Sequence, residues 1–395
     1  MTLWERFCAV APSREVTGYF ERAPTGPDRS GLAVCFDRAD ETIVLGRSSS
    51  LADVAETTRR FLARRGSAVV GYVGFDAVGL IEPRLSRGPA GSPFPLGELA
   101  LVRNARTERA TLPRRRAPPS THLGTPIRDT LPSRRFGKAV RNLVRAIRDG
   151  EAFQVVLAHR REWNRPDELL RRADELRATE RFAFFYYLKF GDREVMGATP
   201  ESVLEVRGRR AFINPIAGTL PVRASRAPRL PLRTDPKELA EHRMLVDLAR
   251  NDLGAVSRAG SVRLAWEERR ERFARLEHLV SRVEGRLAEG TGPWGALAAA
   301  FPAGTVSGAP KIRATELLRR EEGTWRGPYG GTVALLRPHH QADFALTIRS
   351  AFAAGSRFYT AAGAGIVHRS RPVREFQETL SKLEHVEATL LGRGP

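Results

Sequence analysis

Two segments of the sequence carry acidic residues spaced three positions apart, Glu238 with Glu241 and Glu375 with Glu378. Each pair follows a proline that suits the first position of a helix, and residues three apart on a helix share a face. Two such faces opposite each other predict a site for a hard divalent cation, which prefers oxygen ligands. The alternative is two solvated helix faces, with Glu378 and Lys382 as an ordinary ion pair, and for either helix alone the spacing favours this alternative.

Two glycine-rich segments and one histidine are further candidates. AGAGIV, at residues 362–367, is predicted to be a short turn whose backbone N–H groups bind an anion, or simply a tight turn between strand and helix. FPAGTVSGAPK, at residues 301–311, is predicted to be a loop that opens a helix and offers hydrogen bonds to a small polar ligand. Neither segment has the pattern of a nucleotide-binding loop or a hydrolase elbow. His278 is a candidate base, although a histidine in the apolar helix expected there is more often a core residue.

The elements that must position these residues are mixed helices and strands. Apolar residues at helical spacing predict helices over residues 136–147 and 169–176. Residues 1–112 are predicted to form short strands and one helix, residues 113–133 a loop or linker, and residues 134–395 a second region. Because strands and helices do not alternate strictly, the expected class is α+β. The remaining strand predictions are FQVVLAHR, FAFFYYLKF, EVMGA, SVLEV and AFINPI.

Composition narrows the class of partner. The chain has 65 Lys and Arg against 45 Asp and Glu, a formal net charge of +20, which raises the possibility of a nucleic-acid ligand. The densest cluster, Arg114–Arg116, lies among Pro, Ser and Thr, and no zinc-ligand spacing or aromatic RNA-binding signature accompanies it. A small anionic substrate is therefore the favoured use of this charge, with no nucleic acid as partner.

The compartment follows from the cysteines and from hydropathy. Cys8 and Cys35 are too few for a disulfide framework, and the N-terminal residues lack a sustained apolar run. No stretch approaches the roughly 20 apolar residues that cross a bilayer. We therefore expect a cytoplasmic protein without a membrane partner.

Ten segments together resemble the chorismate-utilising enzymes, most closely the large subunits of anthranilate synthases. The resemblance covers residues 136–392, with a weaker echo at Gly71–Pro83. PAGTVSGAPK and DPKELAEHRMLVDLARNDLG are long enough to make chance a poor explanation. The other segments are GYVGFDAVGLIEP, EAFQVVLAHR, GATPES, INPIAGTLPVR, LEHLVSRVEG, RGPYGGTVALL, DFALTIRSAF and AAGAGIVHRSRPVREFQETLSKL.

This resemblance implies a fold and an activity. The fold would be two packed antiparallel sheets with outer helices and the active site between them. The activity would be a lyase reaction that converts chorismate and ammonia to anthranilate and pyruvate with Mg²⁺, the first committed step of tryptophan biosynthesis. A glutamine amidotransferase subunit would supply the ammonia, in a hetero-oligomer. The alternative within the same fold is aminodeoxychorismate synthase, in the p-aminobenzoate branch of folate synthesis.

The resemblance also assigns roles to individual residues. Glu201 would protonate the departing ring hydroxyl, His278 would orient or remove a proton during pyruvate loss, and Thr305 would contact the region of the ring hydroxyl. The implied Mg²⁺ ligands are the four acidic residues Glu238, Glu241, Glu375 and Glu378. The implied substrate-binding residues are Tyr329, Arg349, Gly363, Ala364, Gly365, Lys382, Gly218 and Thr219.

Two positions distinguish reactions within the family. Enzymes that add water resemble one another in having Lys where this chain has Gln154, and a neutral amide cannot activate water as a base. Aminodeoxychorismate synthases often carry a nucleophilic Lys in a PIKGT segment, where this chain has Ala217 in PIAGT. Some of those enzymes resemble the Ala form as well, so Ala217 discriminates less sharply than Gln154. Both positions favour ammonia as nucleophile and anthranilate as product.

Overall fold

A computed structural model describes residues 1–24, 31–86, 88–110, 124–179, 182–221, 236–273 and 276–390 of the chain. The arginine cluster and most of the predicted linker lie outside these residues. The side chains of residues 217–221, 236–238, 271–273, 276–278 and 385 are also outside the description.

The chain contains ten α-helices and twenty strands within the described residues. The helices are α1 (Leu3–Val10), α2 (Leu51–Phe61), α3 (Val78–Ile81), α4 (Ser133–Arg148), α5 (Leu169–Thr179), α6 (Pro236–Gly254), α7 (Pro293–Ala300), α8 (Gly304–Ser307), α9 (Lys311–Glu322) and α10 (Pro372–Leu390). The first ten strands are β1 (Val16–Arg22), β2 (Leu32–Phe36), β3 (Glu41–Leu45), β4 (Ala68–Val73), β5 (Gly97–Val102), β6 (Arg106–Glu108), β7 (Arg128–Asp129), β8 (Gln154–Asn164), β9 (Phe184–Phe190) and β10 (Arg193–Thr199). The others are β11 (Ser202–Arg207), β12 (Arg210–Ile213), β13 (Ile216–Pro221), β14 (Arg263–Phe273), β15 (Leu276–Arg286), β16 (Gly308–Ala309), β17 (Thr332–Arg337), β18 (Gln341–Leu346), β19 (Ser350–Ala354) and β20 (Arg357–Ile366).

The strands form two ten-stranded sheets in which the described pairings are antiparallel. We call the first, with the order β16-β8-β20-β19-β10-β9-β1-β2-β6 and with β7 beside β8, sheet A. We call the second, with the order β13-β15-β12-β11-β18-β17-β4-β5-β3 and with β14 beside β15, sheet B. Strands from both sides of residues 113–133 therefore enter both sheets, and the predicted α+β class with two antiparallel sheets is confirmed.

The two sheets pack face to face, with helices on their outer faces. In β4 the side chains of Val70 and Tyr72 belong to the core between the sheets, while Val69 and Val73 belong to the core that includes α4, α7 and α9. This alternation is the two-residue period of a strand buried on both faces. On the far side of sheet A, Trp4 of α1 packs in a third core with residues of α5 and α10. No helix in the described part of the chain is both long and apolar enough to cross a membrane.

Two of the connections that cross between the sheets lie side by side. Glu201 is on the connection from β10 of sheet A to β11 of sheet B, and Arg349 is on the connection from β18 of sheet B to β19 of sheet A. The N–H of Leu346 donates to the Glu201 carbonyl at 3.0 Å, and the N–H of Ala198 donates to the Arg349 carbonyl at 3.3 Å. Backbone hydrogen bonds thus hold the two crossings together.

Three sequence predictions are wrong, and packing explains two of them. Residues 362–366 are not a turn but the end of β20, where glycines permit close side-chain approach and are not needed for chain reversal. His278 lies in strand β15, not in a helix, because β15 finds strand partners on both edges. A short apolar run suits either a helix or a strand, so the strands available for pairing decide which of the two forms. Residues 1–110 contain α1, α2 and the one-turn α3 instead of a single helix.

Candidate active site

Glu201 and Thr305 form the centre of the candidate site. The Thr305 hydroxyl donates a hydrogen bond of 2.7 Å to Glu201 Oε1. Burial raises the pKa of Glu201 to about 7, while the Thr305 hydrogen bond and the positive charge of Lys382 act in the opposite direction. A carboxyl with this pKa is protonated in about half of the molecules at neutral pH, so it suits general acid catalysis.

Thr305 reaches Glu201 because the loop predicted to open a helix does so. Helix α7 ends at Ala300, the short helix α8 carries Thr305, and α9 begins at Lys311. The Ser307 hydroxyl donates to the Ala303 carbonyl at 2.9 Å, which holds the turn of α8 together. The motif PAGTVSGAPK therefore delivers a hydroxyl donor to the crossing between the sheets.

An edge of β20 provides polar groups next to Glu201. Strand β19 pairs with residues 357–360 of β20, so from Ala361 onward this edge has no strand partner among the described residues. Lys382 of α10 donates to the Gly363 carbonyl at 2.9 Å and to Glu378 Oε1 at 2.9 Å. The Gly363 N–H donates to the Tyr329 hydroxyl. The side chain of Ala364 is buried in the core, and its backbone pairs with Leu157 of β8.

Tyr329 also lies at the unpaired edge of β20, with its hydroxyl next to Gly363. Its hydroxyl would lie 3.2 Å from a Cβ atom at Gly363, and the side chain is buried. Burial raises the pKa of Tyr329 to about 12, against the positive charges of Arg326 and Arg349. The phenol therefore remains a neutral donor at physiological pH, close to two guanidinium groups that favour an anion.

Gln154 is the first residue of β8 and faces Gly365 of β20. A Cβ atom at Gly365 would lie 2.4 Å from Gln154 Nε2, so the glycine is what leaves room for the amide. The Gln154 side chain is buried. The Gln154 amide therefore places a neutral hydrogen-bond donor and acceptor at the Gly365 end of the unpaired edge of β20.

The positions of the acidic residues on α6 and α10 support the predicted cation site only in part. Glu375 is largely buried and makes no ion pair among the described residues, so its carboxylate remains available to a cation. Glu378 is half exposed and pairs with Lys382. Glu241 lies on α6 and is partly exposed, and the Glu238 side chain is outside the description. Within the described residues, no three acidic, His or Cys side chains converge as a metal site.

Three further predicted site residues, Gly218, Thr219 and His278, are described only by their backbone. Ala217 of β13 pairs with Leu279 of β15, and Leu220 pairs with Glu277. Gly218 and Thr219 therefore lie in an irregular part of this pairing, beside His278. The side chains of Thr219 and His278 are outside the description, so their predicted roles stay predictions.

Two buried groups that support the site were not predicted from the sequence. Arg326 pairs with Glu322 and donates to the Val156 carbonyl at 2.7 Å and to the Val306 carbonyl at 2.5 Å. It thus joins β8, α8 and α9 directly behind Tyr329. Glu322 and Arg326 are four positions apart, but Val156 and Val306 are distant in sequence, so no local pattern predicts that Arg326 joins these elements.

His159 is the second unpredicted support. Its Nδ1 lies 2.9 Å from Asp129 Oδ1 and its Nε2 lies 3.0 Å from the Thr379 hydroxyl. Thr379 follows Glu378 on α10, so this contact fixes the rotation of the helix that carries Glu378 and Lys382. The polar residues His159 and Arg160 at the end of the predicted strand FQVVLAHR were the only signal in the sequence.

Relatives with known names align over a large part of the chain. "Anthranilate synthase component 1" from Methanothermobacter marburgensis is 43% identical over 264 residues, which cover 65% of this chain and 56% of the relative. The protein of the same name from Streptomyces coelicolor is 42% identical over 305 residues, or 72% and 58%. That from Cereibacter sphaeroides is 34% identical over 362 residues, or 80% and 72%. This chain thus spans less than two thirds of the length of the first two relatives.

Solved structures give the same picture of the fold. Anthranilate synthase component I from Streptococcus pneumoniae superposes with a TM-score of 0.79 at 28% identity, covering 90% of this chain and 92% of the other. The menaquinone-specific isochorismate synthase MenF from Escherichia coli superposes with a TM-score of 0.77 at 20% identity, over 99% and 91%, which supports the fold alone.

The family described as chorismate binding enzyme matches residues 19–388. This range includes nearly all of both sheets, the crossings between them and every residue of the candidate site. A partial or peripheral likeness would not extend over all of these elements, and we conclude that this chain belongs to the chorismate binding enzymes.

Proposed function

We propose that this chain aminates chorismate with ammonia and eliminates pyruvate, giving anthranilate. The observation that carries the proposal is the Glu201–Thr305 pair, a carboxyl whose pKa of about 7 suits proton donation. The names of the relatives support the choice of product. In the overall balance, chorismate and ammonia yield anthranilate, pyruvate and water.

Glu201 is the general acid in this proposal. Hydroxide is a poor leaving group, so the ring hydroxyl departs as water only when a proton reaches its oxygen. The protonated Glu201 carboxyl supplies this proton, and Thr305 fixes the orientation of the carboxyl through Oε1. Glu201 leaves the step as a carboxylate and must regain a proton before the next turnover.

Positive and neutral donors hold the two carboxylates of the substrate. Tyr329, Arg349 and Lys382 surround the unpaired edge of β20, whose backbone at Gly363 and Gly365 adds polar groups. A guanidinium fork and an ammonium group suit carboxylate recognition. This arrangement favours a dianionic substrate over a neutral one.

Gln154 and Ala217 support ammonia as the nucleophile. The Gln154 amide cannot act as the base that would activate water, and Ala217 has no side-chain nucleophile. The aminated intermediate then loses pyruvate, for which a ring proton must be removed. We assign this proton to His278, which lies on β15 beside the bulge at Gly218 and Thr219.

Mg²⁺ is the proposed cofactor, held by Glu238, Glu241, Glu375 and Glu378. The largely buried Glu375, which makes no ion pair among the described residues, supports the assignment. When bound, the ion would neutralise a carboxylate of the substrate. Glu378 also holds Lys382 in place, so the acidic face of α10 would organise both the cation and the ammonium group.

A separate glutamine amidotransferase subunit is the proposed source of ammonia in the cell. Cys8 is partly exposed and Cys35 is buried, and burial raises the pKa of both thiols, to about 12 and about 11. Neither is therefore suited to act as the nucleophile of a glutaminase. We place the complex in the cytoplasm, where unpaired thiols persist.

The test is product analysis with purified protein, chorismate, Mg²⁺ and ammonium at mildly alkaline pH. We expect anthranilate fluorescence and pyruvate in equal amounts, both lost in the Glu378→Gln variant. Aminodeoxychorismate without pyruvate would instead assign the chain to the p-aminobenzoate branch. If neither product forms, the assignment as an amination enzyme is wrong. Glutamine should replace ammonium only after the amidotransferase subunit is added.

A further inference from the structure

A buried ion pair closes the loop that carries Thr305. Lys311 Nζ lies 2.6 Å from Asp252 Oδ2 of α6 and 2.8 Å from the Ala300 carbonyl, with the Ala299 carbonyl at 3.5 Å. An ammonium group has three N–H donors, and these three oxygens account for all of them. Both side chains of the pair are largely buried, with 14% and 13% of their surface exposed.

This contact ties together the two ends of one loop. Ala300 ends α7, where the last carbonyls of a helix have no partner within the helix, and a positive charge is favoured there. Lys311 begins α9, so its side chain closes residues 300–311 into a ring. Thr305 lies midway along it. The neighbouring Gly304 packs against Leu248 of α6, which leaves no room for the loop to move inwards.

Stability alone does not explain such a pair. Burial lowers the pKa of Lys311 and raises that of Asp252 to about 6, so removing both charges from water has a cost that their attraction must offset. Buried ion pairs are often no more stabilising than apolar residues of similar volume. The position of this pair is more informative, because Asp252 lines the same small cavity as Glu201, Gly304 and Thr305.

We propose that Asp252 and Lys311 are positioning residues that hold the 300–311 loop so that the Thr305 hydroxyl stays on Glu201. The inference rests on the proposed function only in treating Glu201 as the general acid. Thr305 and Lys382 both stabilise the ionised form of Glu201, and Asp252 is the other titratable group on its cavity. Release of the loop removes the effect of Thr305 on the pKa of Glu201 and leaves the effect of Lys382 unchanged.

The test compares Lys311→Met and Asp252→Asn with Thr305→Val. We expect kcat to fall about tenfold to a hundredfold, with KM for chorismate changed less than about threefold, as for a catalytic group displaced by a fraction of an ångström. The alkaline limb in the plot of kcat against pH should move to higher pH in all three variants. Lys311→Met combined with Thr305→Val should add no further shift, because both changes remove the same contact. Lys311→Arg, which keeps charge and donors, should restore part of the rate.

Two measurements separate this proposal from folding defects and from the proposed function. Asp247→Asn, which removes an exposed carboxylate on the same helix α6, is the matched control and should leave the profile unchanged. Titration of the Glu201 carboxyl by ¹³C NMR, assigned with Glu201→Gln, reports the hydrogen bond without turnover. If Glu201 titrates alike in wild type and in Lys311→Met, or if the two shifts add, the positioning role is wrong. A shifted titration in a protein that forms no anthranilate would support the positioning role and reject the proposed function.

Discussion

The hydroxyl of Thr305 donates a hydrogen bond of 2.7 Å to Oε1 of Glu201, although the residues are 104 positions apart. Glu201 stands where the chain passes from sheet A to sheet B, and Thr305 comes from the short helix α8, which contacts β8 and β20. The acid of the site is therefore oriented by an element that neither sheet contains. Its function depends on the packing of the loop as much as on its own burial.

Removal of the acid should abolish turnover without abolishing binding. We expect Glu201→Gln to lower kcat by about 10²–10⁴-fold, the range for loss of a general acid. Chorismate binding, measured by calorimetry, should persist, because the groups that hold the carboxylates are unchanged. Glu289→Gln, at an exposed position, is the matched control. A rate within a factor of three of wild type would exclude Glu201 as the acid.

The pH profile should report the pKa of Glu201. Only the protonated carboxyl donates, so at a constant concentration of free ammonia the rate should fall as pH rises through about 7. The Thr305 hydrogen bond stabilises the ionised form, so Thr305→Val should raise this pKa and move the limb to higher pH. Movement to lower pH would contradict the assigned direction of the hydrogen bond.

The glycine at residue 365 should be required for substrate binding. In Gly365→Ala the new methyl group would meet the Gln154 amide at 2.4 Å, and the amide would have to move into the site. We expect KM for chorismate to rise at least tenfold while the fold remains intact by circular dichroism. Gly46→Ala, where no atom lies within 4 Å of the new methyl group, is the control. Unchanged kinetics would show that the amide does not face the substrate.

Metal dependence should follow the acidic face of α10. We expect chelation to remove activity and Mg²⁺ to restore it, and Glu375→Gln to raise the Mg²⁺ concentration needed for half-maximal rate at least tenfold. Glu384→Gln, on an exposed position of the same helix, should behave as wild type. Equal Mg²⁺ requirements in the two variants would remove Glu375 from the metal site.

The Arg326–Glu322 pair should matter for stability. Both side chains are almost fully buried, so Arg326→Met leaves an unpaired carboxylate and should lower the free energy of unfolding by about 3–5 kcal/mol. The double variant with Glu322→Gln should recover part of this loss. Arg59→Met, which breaks an exposed pair with Glu56, should change stability by less than about 0.5 kcal/mol. Urea denaturation monitored by Trp fluorescence measures all three.

Local pattern in the sequence predicts the elements better than their contacts. Helix α4 follows from the spacing of Phe136, Val140 and Leu143, and α10 follows from its proline and its apolar stripe. The end of β20 was mistaken for a turn because glycine suits both a reversal and a close approach. Only the positions of Gln154 and Tyr329 reveal that close approach is the reason here.

The site was predicted through motifs, and its supports were not. Glu201, Thr305 and Lys382 lie in segments that resemble the family, and the structure brings them together. Asp252–Lys311 and His159–Thr379 are separated by 59 and 220 positions, so no periodicity in the sequence links them. Such contacts follow from tertiary packing, which local pattern does not encode.

The division of both sheets between distant parts of the chain has a consequence for fragments. If residues 1–110 were absent, β9 would lose its neighbour β1 and β17 would lose its neighbour β4. Each shortened sheet would then end at a newly exposed row of unpaired backbone groups, the kind of edge that seeds aggregation. The residues of the candidate site all lie beyond residue 150, yet a shortened chain that retained every one of them would tend to self-associate before the site could form.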